Sequence, residues 1–113
     1  MKLIKIREDS ELAKLLKTES NLILDFYADW CGPCKVLSKT LQDVSSSGVF
    51  ENVTVLKINV DNFSDVAKNY KVRSMPTLIF TSDVSGEREV LKTKVGNISK
   101  NDLQELLGSL YEQ

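Results

Sequence analysis

The sequence predicts an α/β protein in which a mostly parallel sheet is followed by an antiparallel hairpin. Segments with the apolar pattern of strands alternate with amphipathic helical patterns over most of the 113 residues. The segment from Leu22 to Tyr27 is almost entirely apolar, as expected for a strand buried on both faces of a parallel sheet. Two later strand patterns flank the turn residues Ser85-Gly86, which indicates a hairpin near the end of the chain.

The N-terminal half contains two predicted strand–helix units. Leu12, Leu15 and Leu16 share one helical face after Ser10, which we expect to cap that helix. The second helix follows the buried strand directly and ends in a serine-rich segment before Gly48. The elements predicted here are a strand at residues 3–6, a helix at 11–17, a strand at 22–27 and a helix that begins at Pro33.

The C-terminal half contains a third strand–helix unit, the hairpin and a last helix. Residues 53–60 alternate like a strand, and Asn62 with Asp65 predicts the start of a helix. Ser99 with Asp102 resembles a capping box before the last helix. The hairpin strands are predicted at 77–80 and 89–95, and the apolar helical faces comprise Phe63, Val66, Ala67 and Tyr70, then Leu103, Leu106, Leu107 and Leu110.

Length and composition predict a single domain spanning residues 1–113. The formal net charge is −1 and the fifteen Lys and Arg form no basic run, which argues against nucleic acid as a partner. No apolar stretch approaches the length of a membrane span, and the first residues lack the apolar core of a signal peptide. We therefore expect a cytoplasmic protein without membrane association. Because every amphipathic face can be assigned to the core, we also expect a monomer.

The chain contains two cysteines and no histidine. A catalytic Ser-His or Cys-His pair is therefore excluded. A structural zinc ion bound by one chain needs four ligands, typically Cys and His, and this sequence cannot supply them. A metal shared between two chains through two Cys-x-x-Cys pairs stays open.

Both cysteines lie in the segment Trp30-Cys31-Gly32-Pro33-Cys34. A disulfide between them closes a ring of four residues, for which chain-entropy reasoning gives only about 2 kcal/mol of stabilisation. Such a bond is better explained as one that is made and broken than as a structural staple. The alternative is a pair of buried, chemically inert cysteines.

The position of this segment between a strand and a helix predicts which thiol reacts first. Unpaired N–H groups and the helix dipole favour a thiolate at Cys31. Gly32 permits a tight bend, Pro33 suits the first helical turn, and Cys34 lies about one turn further on, where we expect it to be deeper. We therefore expect Cys31 to form a mixed disulfide with a substrate and Cys34 to resolve it.

Asp25 is a carboxylic acid in the middle of the buried strand, six residues before Cys31. Burial should raise its pKa, so that it can accept the proton of Cys34. Lys57 lies within the apolar strand Val55-Leu56-Lys57-Ile58 and is the expected partner of Asp25. The alternative interpretation is a purely structural buried pair or a partly exposed charge.

Met75-Pro76 precedes a predicted strand. A proline at the first residue of a strand needs no further explanation, and the sequence alone favours a trans bond before it.

These residues together resemble the thioredoxin family. The similarity rests on the segment from Asp25 to Lys35 with its Trp-Cys-Gly-Pro-Cys motif, on Lys57, on Met75-Pro76-Thr77 and on Lys94-Val95-Gly96, and it extends over nearly the whole chain. The resemblance implies a thioredoxin fold, with a central five-stranded mixed β-sheet flanked by four helices. The chain departs from the family pattern at Lys39, at Ser74 and in residues 81–87, where a longer turn is expected.

The resemblance also implies a set of roles. Cys31 would be the nucleophile, Cys34 the resolving cysteine, Asp25 the proton acceptor with Lys57 as its partner, and Pro76 would follow a cis bond that faces the cysteines. Electrons would come from NADPH through a thioredoxin reductase and pass to disulfide-containing protein substrates, with no cofactor bound to the chain itself. The groove that receives substrate would be bordered by Trp30, Gly32, Pro33, Met75, Pro76 and Gly96.

Two other functions compete with a general protein-disulfide reductase. A disulfide oxidase or isomerase is disfavoured, because the resemblance associates the Gly-Pro dipeptide with strongly reducing members. A binding module within a larger assembly, without redox turnover, stays open because a fold does not determine a function.

Overall fold

The structure, a computed structural model, describes residues 1–111 and has the predicted mixed α/β architecture. Its described part contains a five-stranded sheet and four helices, as the family resemblance implies. The elements in chain order are β1 (Lys2–Lys5), α1 (Asp9–Thr18), β2 (Asn21–Tyr27), α2 (Gly32–Ser46), β3 (Thr54–Asn59), α3 (Ser64–Asn69), β4 (Thr77–Val84), β5 (Glu87–Val95) and α4 (Lys100–Tyr111).

The central strand of the sheet is β2, and the strand order is β1-β3-β2-β4-β5. The strands β1, β3 and β2 are parallel, whereas β4 runs antiparallel to β2 and β5 antiparallel to β4. Five consecutive residues of β2, from Leu22 to Phe26, are buried, which explains why this segment is apolar at nearly every position.

Two apolar layers cover the two faces of the sheet. Alternate residues of β2 belong to different layers: Ile23 packs with α2 and α4, while Leu22 and Leu24 pack with α1 and α3. Because side chains alternate along a strand, Asp25 lies on the face of Ile23, beneath α2. The same face carries Lys57, which pairs with Asp25 in the register of β2 and β3.

Two predicted helix caps are wrong and one is confirmed. Helix α1 begins at Asp9, so Ser10 lies inside it, and the Glu11 carboxylate instead accepts a hydrogen bond from the Arg7 N–H at 3.0 Å. Helix α3 follows Phe63 without a side-chain cap, because Asn62 is part of a turn built on Asn59. Before α4, the Ser99 hydroxyl accepts a hydrogen bond from the Asp102 N–H at 3.1 Å, as predicted.

The hairpin differs from its prediction in length. Strand β4 continues to Val84 and β5 begins at Glu87, so the turn contains only Ser85 and Gly86. Both turn residues have positive φ, 57° and 89°, as a two-residue hairpin turn of type I′ requires. The expected longer turn is therefore wrong, because the additional residues lengthen the strands. The pairing of β4 with β5 is interrupted by a bulge opposite Phe80 and Thr81.

The edge strand β5 keeps part of its apolar surface exposed. Val90 is 53% exposed and Val95 is 58% exposed, so the premise that every amphipathic face lies in the core does not hold for β5. The monomeric state thus stays a prediction.

Candidate active site

The two cysteines lie where β2 gives way to α2, at the N-terminus of the helix. Cys31 is the N-cap residue in extended conformation, and its Sγ accepts a hydrogen bond from the Cys34 N–H at 3.2 Å. Pro33 lies in the first turn of α2, where its missing N–H would have no helical partner. Cys31 and Cys34 form a disulfide across a Cα–Cα distance of 5.3 Å.

Both sulfur-bearing residues are almost closed to solvent. Cys31 is 5% exposed and Cys34 is 6% exposed. In the disulfide form Cys34 is therefore no less exposed to solvent than Cys31, and in this sense the expectation that it lies deeper is wrong. The pair is covered by Ala28, Tyr27 and Met75. A Cβ atom at Gly32 would meet no atom within 4 Å, so the surface beside the disulfide is open at this residue.

The segment before β4 forms a wall next to Cys31. The Met75–Pro76 bond is cis, as the family resemblance implies and contrary to what the sequence alone favours. The Met75 carbonyl oxygen lies 3.7 Å from Cys31 Sγ, close enough for a thiol at Cys31 to donate a hydrogen bond once the disulfide is reduced. Gly96 has a positive φ of 85° and donates its N–H to the Pro76 carbonyl at 2.9 Å, which brings it beside the cis bond.

The Trp30 side chain is exposed beside the disulfide and is hydrogen-bonded to the loop between β3 and α3. It is 69% exposed, and its Nε1 donates to Asp61 Oδ2 at 3.1 Å. The buried Asn59 donates through Nδ2 to Asp29 Oδ2 at 3.3 Å and accepts from the Asp61 N–H at 2.9 Å. This loop therefore holds both residues that precede Cys31. Sequence reasoning missed Asn59 because it lies within the strand predicted at 53–60, and it missed Asp61 because polar residues after a strand are common in ordinary turns.

Asp25 and Lys57 form the predicted buried pair on adjacent strands. Asp25 is 2% exposed, and its Oδ2 lies 3.4 Å from Lys57 Nζ. No group within residues 1–111 donates a hydrogen bond to its Oδ1 atom. Burial raises the pKa of Asp25 above its usual range, and the nearby Lys57 ammonium offsets only part of that increase. The ammonium also lies 4.9 Å from the centre of the Tyr27 ring.

A cavity of about 230 Å³ adjoins Lys57 and the second cysteine. Cys34, Ser38 and Lys57 all line it, and Ser38 Oγ accepts a hydrogen bond from Lys57 Nζ at 3.3 Å. Sequence reasoning missed Ser38, although its position four residues after Cys34 on the same helix was a usable signal. The cavity has room for several water molecules, each of which occupies about 30 Å³ in the liquid.

Across residues 1–111, no cluster of acidic or cysteine side chains has the arrangement that would hold a metal ion. No helix within residues 1–111 is long and apolar enough to span a bilayer.

A disulfide at a helix N-terminus, beside a cis proline and above a buried acid, defines a thiol–disulfide exchange site on an α/β scaffold. Residues 3–109 match the family model of thioredoxin. The thioredoxin of Mycoplasmoides gallisepticum is 37% identical over 102 residues, which cover 90% of this chain and 96% of that relative. The thioredoxin of Buchnera aphidicola from Acyrthosiphon pisum is 36% identical over 106 residues, with 94% of both chains covered.

Solved structures of the same family superpose over nearly the whole chain. A mutant thioredoxin from Halobacterium salinarum has a TM-score of 0.81 and 30% identity, covering 99% of this chain and 93% of that one. The oxidized mitochondrial thioredoxin 3 of Saccharomyces cerevisiae has a TM-score of 0.77 and 30% identity, covering 96% and 95%. The chain therefore belongs to the thioredoxin family, and with its Cys31–Cys34 disulfide it is a thiol-disulfide oxidoreductase.

Proposed function

We propose that this chain is a general protein-disulfide reductase of the cytoplasm. In this proposal it works as a single-domain monomer and is re-reduced by an NADPH-dependent thioredoxin reductase. The observation that carries the proposal is the position of Cys31 Sγ, which lies at the N-terminus of α2 and 3.7 Å from the Met75 carbonyl oxygen. A thiolate at this sulfur is stabilised by the N–H of Cys34 and by the helix dipole.

The first step uses Cys31 as the nucleophile. Its thiolate attacks one sulfur of a substrate disulfide, a new bond forms between Cys31 Sγ and that sulfur, and the other substrate sulfur leaves as a thiolate. The substrate would lie against the surface around the disulfide, bordered by Trp30, Gly32, Pro33, Met75, Pro76 and Gly96.

The second step uses Cys34. Its thiol gives its proton to the Asp25 carboxylate, and the resulting thiolate attacks Cys31 Sγ. The bond from Cys31 to the substrate breaks, the second substrate sulfur leaves as a thiolate, and the Cys31–Cys34 disulfide forms again. Two electrons have then passed to the substrate, and the reductase returns two electrons from NADPH.

The proposal is tested with insulin as substrate. The reduced protein should accelerate the precipitation of insulin chains in dithiothreitol, and should do so with NADPH and a purified thioredoxin reductase. A correctly folded, reduced sample that does neither would rule the proposal out. The redox potential distinguishes the oxidase alternative, since a reductase should lie well below the glutathione couple.

Single-cysteine variants test the order of the two steps. Cys34→Ser should accumulate a mixed disulfide with an oxidised substrate, because the resolving thiol is absent. Cys31→Ser should accumulate far less, because Cys34 is then the only thiol and does not lie at the N-cap. Non-reducing electrophoresis and mass spectrometry measure the adduct, and equal trapping by both variants would contradict the assignment of Cys31 as nucleophile.

A further inference from the structure

The ammonium group of Lys57 is shared between two acceptors on different elements. Its Nζ lies 3.4 Å from Asp25 Oδ2 on β2 and 3.3 Å from Ser38 Oγ on α2. A hydrogen bond from an ammonium group to a carboxylate is usually about 2.7–2.9 Å long. The ion pair is therefore longer than its usual optimum, and the second acceptor lies on the opposing helix.

Ser38 is well placed to set this distance. It lies one helical turn after Cys34, and both residues line the cavity that Lys57 also borders. The Lys57 side chain is 19% exposed, so the rest of its length is confined between the sheet and α2. The ammonium therefore lies between two acceptors, the Asp25 carboxylate on the sheet and the Ser38 hydroxyl on α2.

Within the sheet, the charged residue paired with Asp25 is Lys57 on β3. The partner of Asp25 on β4 is Leu78, which brings none, and the partner of Lys57 on β1 is Lys5. Lys57 is the charged group that lowers the pKa of Asp25 against the effect of burial. The titratable or charged residues that line the cavity in the disulfide form are Lys5, Tyr27, Asp29, Lys35 and Lys57.

We propose that Ser38 is a positioning residue whose hydroxyl holds the Lys57 ammonium against α2 and prevents it from closing fully onto Asp25. The hydroxyl is a neutral acceptor, so it retains the ammonium without adding a second negative charge beneath the helix. The ionic contact between Lys57 and Asp25 consequently stays long, and no group within residues 1–111 donates a hydrogen bond to Oδ1.

The consequence for turnover rests on the proposed function, in which Asp25 accepts the proton of Cys34. A carboxylate that is less neutralised by its partner is a stronger base. Ser38 therefore keeps Asp25 basic enough to take the thiol proton while the mixed disulfide is resolved. In Ser38→Ala, release of substrate from the mixed disulfide should be slower, whereas attack by Cys31 should be unchanged.

The proposal is tested by measuring the titration midpoint of Asp25 directly. In protein labelled with ¹³C-aspartate, the side-chain carboxyl signal of Asp25 is identified by its loss in Asp25→Asn and then followed with pH in the oxidised form. Ser38→Ala should shift the midpoint to lower pH, because the ammonium can close onto the carboxylate. This variant should fold, since alanine favours helix more than serine does.

Three further variants test the cause of that shift. Ser38→Thr keeps a hydroxyl and should leave the midpoint unchanged. Ser46→Ala removes an exposed serine at the end of the same helix and should also leave it unchanged. In a Lys57→Met background, Ser38→Ala should have no further effect, because the two residues act through one contact.

The proposal is overturned if Ser38→Ala leaves the midpoint unchanged or raises it, or if its shift persists in Lys57→Met or is reproduced by Ser46→Ala. These measurements need no substrate and no reductase. A failure of insulin reduction would therefore reject the proposed function and leave the coupling of Ser38, Lys57 and Asp25 to be judged by the titration alone.

Discussion

Asp25 combines deep burial with incomplete pairing. Its carboxyl group lies on the core side of β2, has Lys57 as its ionic partner at 3.4 Å, and receives no hydrogen bond at Oδ1 from residues 1–111. An acid in such a place is costly to ionise, and its pKa is raised by burial. The protein therefore keeps beneath α2 an acid whose neutral form is favoured by burial, at some cost in stability when it is charged.

This cost predicts a pH-dependent gain in stability for Asp25→Asn. The ordinary pKa of the group is 3.8, and the folded-state pKa is higher, so the folded protein binds the proton more tightly than the unfolded chain. The favourable contribution of protonated Asp25 is present below the ordinary value and is lost as the pH rises through the folded-state pKa. Replacing Asp25 should stabilise the protein at alkaline pH by about 1.4 kcal/mol for each unit by which folding raises the pKa of this acid, because the ionised carboxylate is the form that burial disfavours.

Urea denaturation of both proteins between acidic and alkaline pH measures this difference. At a pH below 3.8 the two free energies of unfolding should converge, because the acid is then neutral in both states. Asp61→Asn is the matched control, since Asp61 is exposed and should give no comparable dependence. A gain for Asp25→Asn that is the same at every pH would contradict the assigned cause.

The sequence revealed Asp25 and Lys57 because each is a charge within an otherwise apolar strand. It could not reveal Asn59, whose amide joins Asp29 to the Asp61 backbone, because that link depends on the spatial meeting of two loops. Ser38 was missed for a related reason. Its importance comes from Lys57, which lies 19 residues away in the chain and meets it only after the sheet has formed.

At the scale of elements, Arg88 connects the hairpin to the first helix. Its guanidinium donates to the carbonyl oxygens of Leu16, Glu19 and Ser20 at the end of α1, and to Thr81 Oγ1 on β4 at 2.9 Å. The last carbonyls of a helix have no partner inside the helix, so the contacts to Leu16 and Glu19 satisfy acceptors at the end of α1. The Ser20 carbonyl also accepts a hydrogen bond from the Asp83 N–H at 2.8 Å. The planar fork of arginine suits several acceptors at once.

We therefore predict that Arg88→Lys destabilises the protein by about 2 kcal/mol, since a single ammonium cannot reach all four acceptors and hydrogen bonds to charged groups contribute about 1.5–3 kcal/mol. Urea midpoints with an unchanged slope measure the effect. Arg7→Lys provides the comparison, because the Arg7 side chain is exposed and should tolerate the change. Loss of stability of the same size in both variants would contradict a specific role for Arg88.

Element types were predictable, whereas several boundaries were not. The buried run of β2 and the helix that follows Pro33 are fixed by patterns within one segment, and both were predicted. The start of α1 depends instead on the Glu11 carboxylate reaching back to the Arg7 N–H. The full length of β4 depends on pairing with β5 across a bulge, which only the folded hairpin defines.

At the scale of the whole molecule, the fold is held by two apolar layers that enclose one sheet. The layer beneath α2 and α4 and the layer beneath α1 and α3 each contain ten or more buried residues, whereas the disulfide pair belongs to a third, much smaller cluster. Only the family resemblance implied the cis bond at Met75–Pro76, because no local pattern in the sequence distinguishes it. Stability and redox chemistry thus reside in different parts of the molecule.

This separation predicts that reduction of the disulfide lowers the free energy of unfolding by only about 2 kcal/mol and leaves the fold unchanged. The ring joins residues three apart in sequence, and constraining so short a loop in the unfolded chain contributes only about 2 kcal/mol. The oxidised protein, the reduced protein and the double variant Cys31→Ala/Cys34→Ala should give matching far-ultraviolet circular dichroism spectra. The oxidised form should unfold at a higher urea concentration by an amount that corresponds to about 2 kcal/mol.

The double variant also distinguishes two reasons why reduction could lower the free energy of unfolding by more than about 2 kcal/mol. If reduction lowered the free energy of unfolding by much more than the ring accounts for, the disulfide would have to stabilise the packing of α2 against Met75 as well as constrain the unfolded chain. The double alanine variant would then show the same loss at every concentration of reductant. If the double alanine variant is instead as stable as the reduced protein and both remain folded, the sheet and its two apolar layers are sufficient to hold the fold. The disulfide can then open and close in each cycle without disturbing the structure that positions it.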